Sequence, residues 1–227
     1  MTQLVQIQAW SYSRYQDYEQ CPFKAKCKHV LKLREPDNPA MENGTIVHRL
    51  AEQVTRGDLT KFPKELKDFS PGFKELRTNR AQTEQEWAFN KNWEKVSWFA
   101  KDAWLRIKVD AHYLLKEGPK TQQRTTVVIV DHKTGREKQE HTNQRSLYAL
   151  GAFLVYPDAA MAVARHWYID HGTEAMDVYE AHQLETLKTQ WEQRTRSMLA
   201  DKRFAARPGS YCQWCHYRKS NGGPCKF

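Results

Sequence analysis

The alternation of apolar and polar positions divides the chain into helical ends and a strand-rich middle. Over residues 12–34, Tyr15, Tyr18, Phe23, Val30 and Leu31 recur at spacings that place them on one side of a helix. Pro36 and Pro39 interrupt that pattern. Gly44 to Arg56 resumes a helical period, which Gly57 closes. Residues 58–80 mix charges with Pro63, Pro71 and Gly72, a composition that predicts a surface excursion or linker.

The period then changes. Residues 83–90 and 103–113 alternate as strands do, and Thr125 to Val130 is β-branched throughout, as in a buried central strand. It ends in a polar turn, Asp131-His132-Lys133-Thr134-Gly135. An amphipathic helix follows over 142–155, then strands over Ala162 to Ile169 and Ala175 to Ala181, and a helix from Leu184 to Leu199. Pro208-Gly209 leads into a cysteine-rich tail. Strands between helical ends predict an α/β or α+β fold.

The length of 227 residues suits one domain over 1–227, with N-terminal helices over 11–56, a core over 83–181 and a C-terminal part over 182–227. Eight tryptophans and 12% aromatic residues exclude disorder throughout. No run approaches the roughly 18 apolar residues of a membrane span, so no membrane partner is expected. Met1 to Gln8 shows no basic start followed by an apolar core, and a cytoplasmic location is expected. Lys and Arg outnumber Asp and Glu by 36 to 27, a net charge of +9 that suits a phosphate backbone. The last 27 residues carry six cations, among them Arg207, Arg218 and Lys219, against Asp201 alone. In that tail the cations alternate with Tyr211, Trp214 and Tyr217, a composition on which unpaired bases can stack.

Two sets of residues carry chemistry. Asp131 and Lys133 are two apart on an extended chain and point to the same side, where a carboxylate can hold a divalent ion and an ammonium can approach water or phosphate. Taken alone, the triplet also reads as a surface ion pair. Asp110 ends the preceding strand-like run, and two acids at adjacent strand ends make a Mg²⁺ or Mn²⁺ site. His48 on the second helix is a further possible ligand, and Gln144 and Tyr148 share one helix face at i,i+4. The five cysteines, Cys21, Cys27, Cys212, Cys215 and Cys225, favour a metal or cluster over disulfides in a cytosolic chain and leave one spare. Their spacing suits either tetrahedral zinc, with His216 or Cys27 as further ligands, or a [4Fe-4S] cluster.

The order of these motifs resembles the RecB-like branch of the PD-(D/E)XK nucleases, which includes nuclease domains of bacterial recombination complexes and CRISPR-adaptation exonucleases. The matching residues are Cys21-Pro22, Gly44 to His48, Glu84 or Glu86, Asp110, Asp131 to Gly135, Gln144 to Tyr148, and the C-terminal cysteines. Ile107 stands where the family's Gly-x-x-Asp has glycine. The resemblance implies a restriction-endonuclease-like core, a mixed sheet flanked by helices, with the termini joined by a cysteine-ligated cluster. It implies that His48, Asp110, Asp131 and the backbone carbonyl of His132 hold Mg²⁺ or Mn²⁺, the His132 side chain being a bystander. Lys133 would act on the attacking water and the transition state, supported by Gln144 and Tyr148, with Glu86 a more distant acid. Cys21, Cys212, Cys215 and Cys225 would hold the [4Fe-4S] cluster, with Zn²⁺ the alternative. The activity implied is DNA exonuclease action on single-stranded or duplex ends, in recombination, phage DNA processing or CRISPR-adaptation-type trimming, with protein partners in such a complex. The location implied is bacterial cytoplasm, or host cytoplasm for a phage protein. A non-catalytic nucleic-acid-binding module with a structural metal is the other reading of the same charge and cysteines.

Overall fold

A computed structural model of the chain describes residues 6–36, 39–119 and 122–227. Residues 1–5, part of the Met1 to Gln8 segment discussed above, lie outside them. Contacts divide the described chain into two compact units, one of residues 6–36 with 189–227 and one of residues 39–188.

In the first unit, α1 (Tyr12–Gln20) is capped by Ser11, whose side chain accepts from the Arg14 amide. The single helix expected over 12–34 is broken at Cys21, which is extended. Pro22 causes this, because the residue before a proline is driven out of the helical region. Pro22 then opens α2 (Pro22–Ala25), which runs into a π turn over Lys26–Val30. Most of α6 (Leu184–Ala200) also belongs here, and its Trp191 stacks on Trp10 at 5.5 Å with Tyr12 and Tyr15 edge-on. Asp17 is buried and gathers Lys24, Lys28 and His29 around its carboxylate.

The second unit is a six-stranded mixed sheet in the order β2-β1-β3-β4-β5-β6. Its strands are β1 (Gln82–Phe89), β2 (Lys95–Val96), β3 (Leu105–Glu117), β4 (Arg124–Lys133), β5 (Ala159–Tyr168) and β6 (Thr173–Glu180). All neighbours are antiparallel except β4 and β5, which are parallel and joined through α5 (His141–Val155). A parallel pair needs such a crossover. The run Thr125 to Val130 is central, as its composition requires.

One face of the sheet is covered by α3 (Pro39–Arg56) and α4 (Ser70–Thr78). The helix expected from Gly44 begins instead at Pro39, a residue suited to the first helical turn. The linker expected over 58–80 is corrected: Lys64–Phe69 is a 3₁₀ turn and α4 follows it directly. Leu66, Phe69, Phe73 and Leu76 from this segment pack with Val47, Ala51 and Val54 of α3 against Ala111, Tyr113, Val128 and Val130. The other face is covered by α5, and here Gly151 matters. A Cβ at that position would lie 2.7 Å from Ile107 Cδ1 and 3.0 Å from the Trp87 ring, so the helix meets β3 and β1 at its glycine. The isoleucine at the expected glycine position is thus accommodated by a glycine on the facing helix. Among the described residues no helix is long and apolar enough to cross a membrane.

Candidate metal centre

At the C-terminal end of β4 the alternation of side chains sends Asp131 and Lys133 toward α5 and His132 toward α4. Lys133 Nζ lies 2.7 Å from Asp131 Oδ2, the same-side placement the Asp-x-Lys spacing implies. Asp131 is 3% exposed, so its carboxylate must be satisfied internally. On the helix facing it, Gln144 Nε2 donates to Tyr148 Oη at 2.8 Å, and Tyr148 Oη donates to Asp131 Oδ1. Burial and then the Asp131 charge raise the Tyr148 pKa well above its ordinary value, which keeps the phenol a donor. Beyond Lys133 the chain turns at Gly135, with φ +88°, a conformation side chains rarely adopt. The Gly135 amide donates to Asp170 Oδ2 at 3.0 Å and so ties the turn to the end of β5.

Asp110 approaches from β3. Its Oδ2 accepts the His132 amide at 2.8 Å and lies 3.1 Å from His48 Nδ1 on α3 and 3.5 Å from His132 Nδ1. His48, Asp110 and His132 each offer one ligand atom, all within 4.8 Å of one another. Burial alone would raise the Asp110 pKa, but the hydrogen bonds from His132 and His48 outweigh it and hold the carboxyl well below the usual range. Burial likewise disfavours a charged His48, yet its bond to Asp110 prevails and raises its pKa. Two imidazoles and a carboxylate form a donor set suited to a first-row divalent ion.

One expectation changes here. The His132 side chain is no bystander, because the carboxylate that accepts its amide also draws in its ring, which stacks on Phe73 at 5.5 Å. Asp131 stands beside this group of mutually close ligand atoms, its Oδ1 taken by the Tyr148 hydroxyl. Glu86 is exposed on β1 opposite Lys108, while Glu84, at φ +52°, pairs with Lys108. One neighbour carried no motif in the sequence: His166, fully buried on β5, is the register partner of Asp131. Burial pushes its imidazole pKa down to about 3, so the ring is neutral.

In the first unit Cys21, Cys212, Cys215 and Cys225 all line one small pocket of about 30 Å³, partly open to solvent. The Arg207 amide donates to Cys21 Sγ and the Gly209 amide to Cys212 Sγ, each at 3.4 Å. Amides directed at sulfur favour thiolate ligands. Cys27 does not line the pocket; it is buried, and burial first, then Cys215, push its thiol up to about 11. Trp214, between two of the cysteines, is 71% exposed and does not pack over them. Tyr217 is core instead, donating to the Leu33 carbonyl at 3.0 Å.

A sequence profile of the PD-(D/E)XK nuclease superfamily matches residues 9–117 and 114–220. Among solved structures, a candidate exonuclease from Eubacterium rectale is similar over 96% of this chain and 91% of its own, with 13% identity and a TM-score of 0.50. The protein SSO0001 is similar over 97% of this chain and 87% of its own, with 15% identity and a TM-score of 0.47. No curated protein matches significantly.

Proposed function

The chain belongs to the PD-(D/E)XK nuclease superfamily, and from that premise we propose that it is a metal-dependent DNA exonuclease of the RecB-like branch. The observation that carries this reading is the cluster of His48, Asp110 and His132 next to the Asp131–Lys133 pair at the C-terminal end of β4. We assign His48, Asp110 and Asp131 as ligands of Mg²⁺ or Mn²⁺, with His132 contributing through its carbonyl or its ring. Such an ion, when bound, supplies charge stabilisation at the phosphate and lowers the pKa of water. Lys133 orients the attacking water and neutralises charge that develops on the phosphate. Tyr148, held by Gln144, fixes the Asp131 carboxylate so that Lys133 starts from one defined place. The net charge of +9 supports DNA as the substrate.

We propose that Cys21, Cys212, Cys215 and Cys225, which line one pocket, hold a [4Fe-4S] cluster. A single zinc at about 2.3 Å from each sulfur needs thiolates about 3.8 Å apart. Among the described residues, no three cysteine sulfurs lie within 4.8 Å of one another. A wider, polynuclear group fits that spread better, and zinc is the alternative. The setting we infer is the cytoplasm, in recombination, phage DNA processing or CRISPR-adaptation-type end trimming, alongside protein partners.

The test is degradation of 5′- and 3′-labelled single- and double-stranded DNA with Mg²⁺, with Mn²⁺ and with chelator. Asp131→Ala and Lys133→Ala are expected to abolish cutting and leave DNA binding largely intact. Wild-type protein that binds DNA and cuts none of these substrates with either ion would overturn the reading in favour of a binding module.

A further inference from the structure

Two buried polar atoms beside the candidate site face each other without an aligned hydrogen bond: Asp131 Oδ2 and His166 Nε2. They are 4.0 Å apart, on register partners of the parallel strands β4 and β5. Lys133 Nζ is 2.7 Å from the same Oδ2, but outside hydrogen-bond alignment. The two donors differ in access, because the Lys133 side chain is 21% exposed and that of His166 is 0% exposed.

The proton on His166 has one place to be. Its Nδ1 lies 3.4 Å from Arg145 Nη1, and a guanidinium can only donate. Nδ1 is therefore the acceptor, and the imidazole proton sits on Nε2, on the side of Asp131. Arg145 is itself 4% exposed and fixed by Asp177 on β6, 2.6 Å from its Nε, and by Thr142 at 3.1 Å. The ring is enclosed edge-on by His141 and Tyr148. Apart from Tyr148, none of these groups belongs to a motif legible in the sequence, yet together they present one N–H to the carboxylate oxygen that Lys133 occupies from the open side.

A lysine that acts on water or phosphate must leave Asp131, and a carboxylate assigned as a metal ligand then needs another donor to keep its orientation. We propose that His166 is a positioning residue that takes over Asp131 Oδ2 through its Nε2–H when Lys133 turns to the substrate, with Arg145 setting the tautomer. The carboxylate then keeps its orientation through the reaction. This inference rests on the proposed nuclease function for its kinetic consequence, but the tautomer stands apart from it.

The experiment has two readouts. In full-length protein labelled with ¹⁵N histidine, long-range ¹H–¹⁵N spectra are expected to show His166 as a neutral Nε2–H tautomer in the wild type, and Arg145→Met is expected to lose that single form. An Nδ1–H tautomer in the wild type would overturn the proposal whether or not the protein cuts DNA. In the nuclease assay His166→Leu is expected to lower kcat by about 10- to 100-fold, the usual range for a group that orients a metal-site ligand, with KM for DNA unchanged. His166→Gln, which keeps a donor near the Nε2 position, is expected to recover most of that loss at the same melting temperature as His166→Leu. Equal kcat in the two variants at equal stability, or full kcat in His166→Leu, would overturn it. A wild type with the expected tautomer and no cutting would count against the nuclease reading, not against the geometry.

Discussion

Removing one oxygen from Tyr148 isolates the interaction that holds Asp131. Tyr148→Phe keeps the ring, which is 4% exposed, and deletes the hydroxyl that donates to Asp131 Oδ1 and accepts from Gln144. A hydrogen bond to a charged acceptor contributes about 1.5–3 kcal/mol, and a neutral one about 0.5–1.5 kcal/mol. Gln144 is only partly buried and can turn to water, so most of the loss falls on Asp131. Tyr148→Phe is therefore expected to destabilise the protein by about 1.5–3 kcal/mol. At roughly 2–4 °C per kcal/mol for a chain of this size, the melting temperature falls by about 3–12 °C. In an Asp131→Asn background the same substitution is expected to lose only the neutral value, leaving a coupling of about 1 kcal/mol or more in a double-mutant cycle. Urea unfolding with an unchanged m-value measures both. Strict additivity, or a loss under about 0.5 kcal/mol for Tyr148→Phe in the native background, would refute the idea that this phenol carries the Asp131 charge.

Gly151→Ala is expected to cost about 1–3 kcal/mol by overpacking, against the roughly 1 kcal/mol that alanine ordinarily gains over glycine in a helix. Ile107→Val removes the methyl that the new Cβ would meet at 2.7 Å, so the double variant should regain much of the loss in urea unfolding; a stabilising single variant would contradict the packing. Asp17 gives a pH dependence. Burial would raise its carboxyl, but His29 and Lys24 overcome this and hold it well below its ordinary 3.8. The folded state thus resists protonation, so this stabilisation is complete above about pH 4 and is lost as pH falls further, toward the folded value. Asp17→Asn is expected to be less stable at neutral pH, by about 1–3 kcal/mol, with a flatter acid limb in thermal melts taken from pH 6 downward; parallel curves would show that Asp17 is not the group responsible.

The strands and the helices around them were legible because their signals are local. Thr125 to Val130 has the composition of a strand covered on both faces, and Gln144 and Tyr148 fall on one face of α5 by spacing alone. The segment 58–80 was not legible, although Leu66, Phe69, Phe73 and Leu76 recur at helical intervals. Pro63, Pro71 and Gly72 disguised them, since Pro71 sits in the first turn of α4, where a proline does no harm. Pro22 did the reverse and broke an expected helix. At the site, alternation placed Asp131 and Lys133 together, and they are together. The family resemblance made the His132 side chain a bystander. Nothing in the sequence indicated that Asp110 would bind the His132 amide and so bring that ring to its carboxylate. His166 and Arg145 stayed invisible for a related reason, because parallel register is set by tertiary pairing and leaves no short-range mark.

That one parallel pairing has a consequence for when the protein becomes competent. Asp131, Tyr148 and His166 lie on one strand–helix–strand passage, and β5 cannot join β4 by a hairpin. At about 5–20 residues per second of synthesis, the stretch from Asp131 to His166 takes a few seconds to emerge. During that interval the chain already holds its Asp-x-Lys turn but lacks the wall against which the carboxylate is set. A product truncated before β5 would carry most of the recognisable motifs and no organised centre. Topology thus acts as a timer, withholding the reactive arrangement until the crossover is complete.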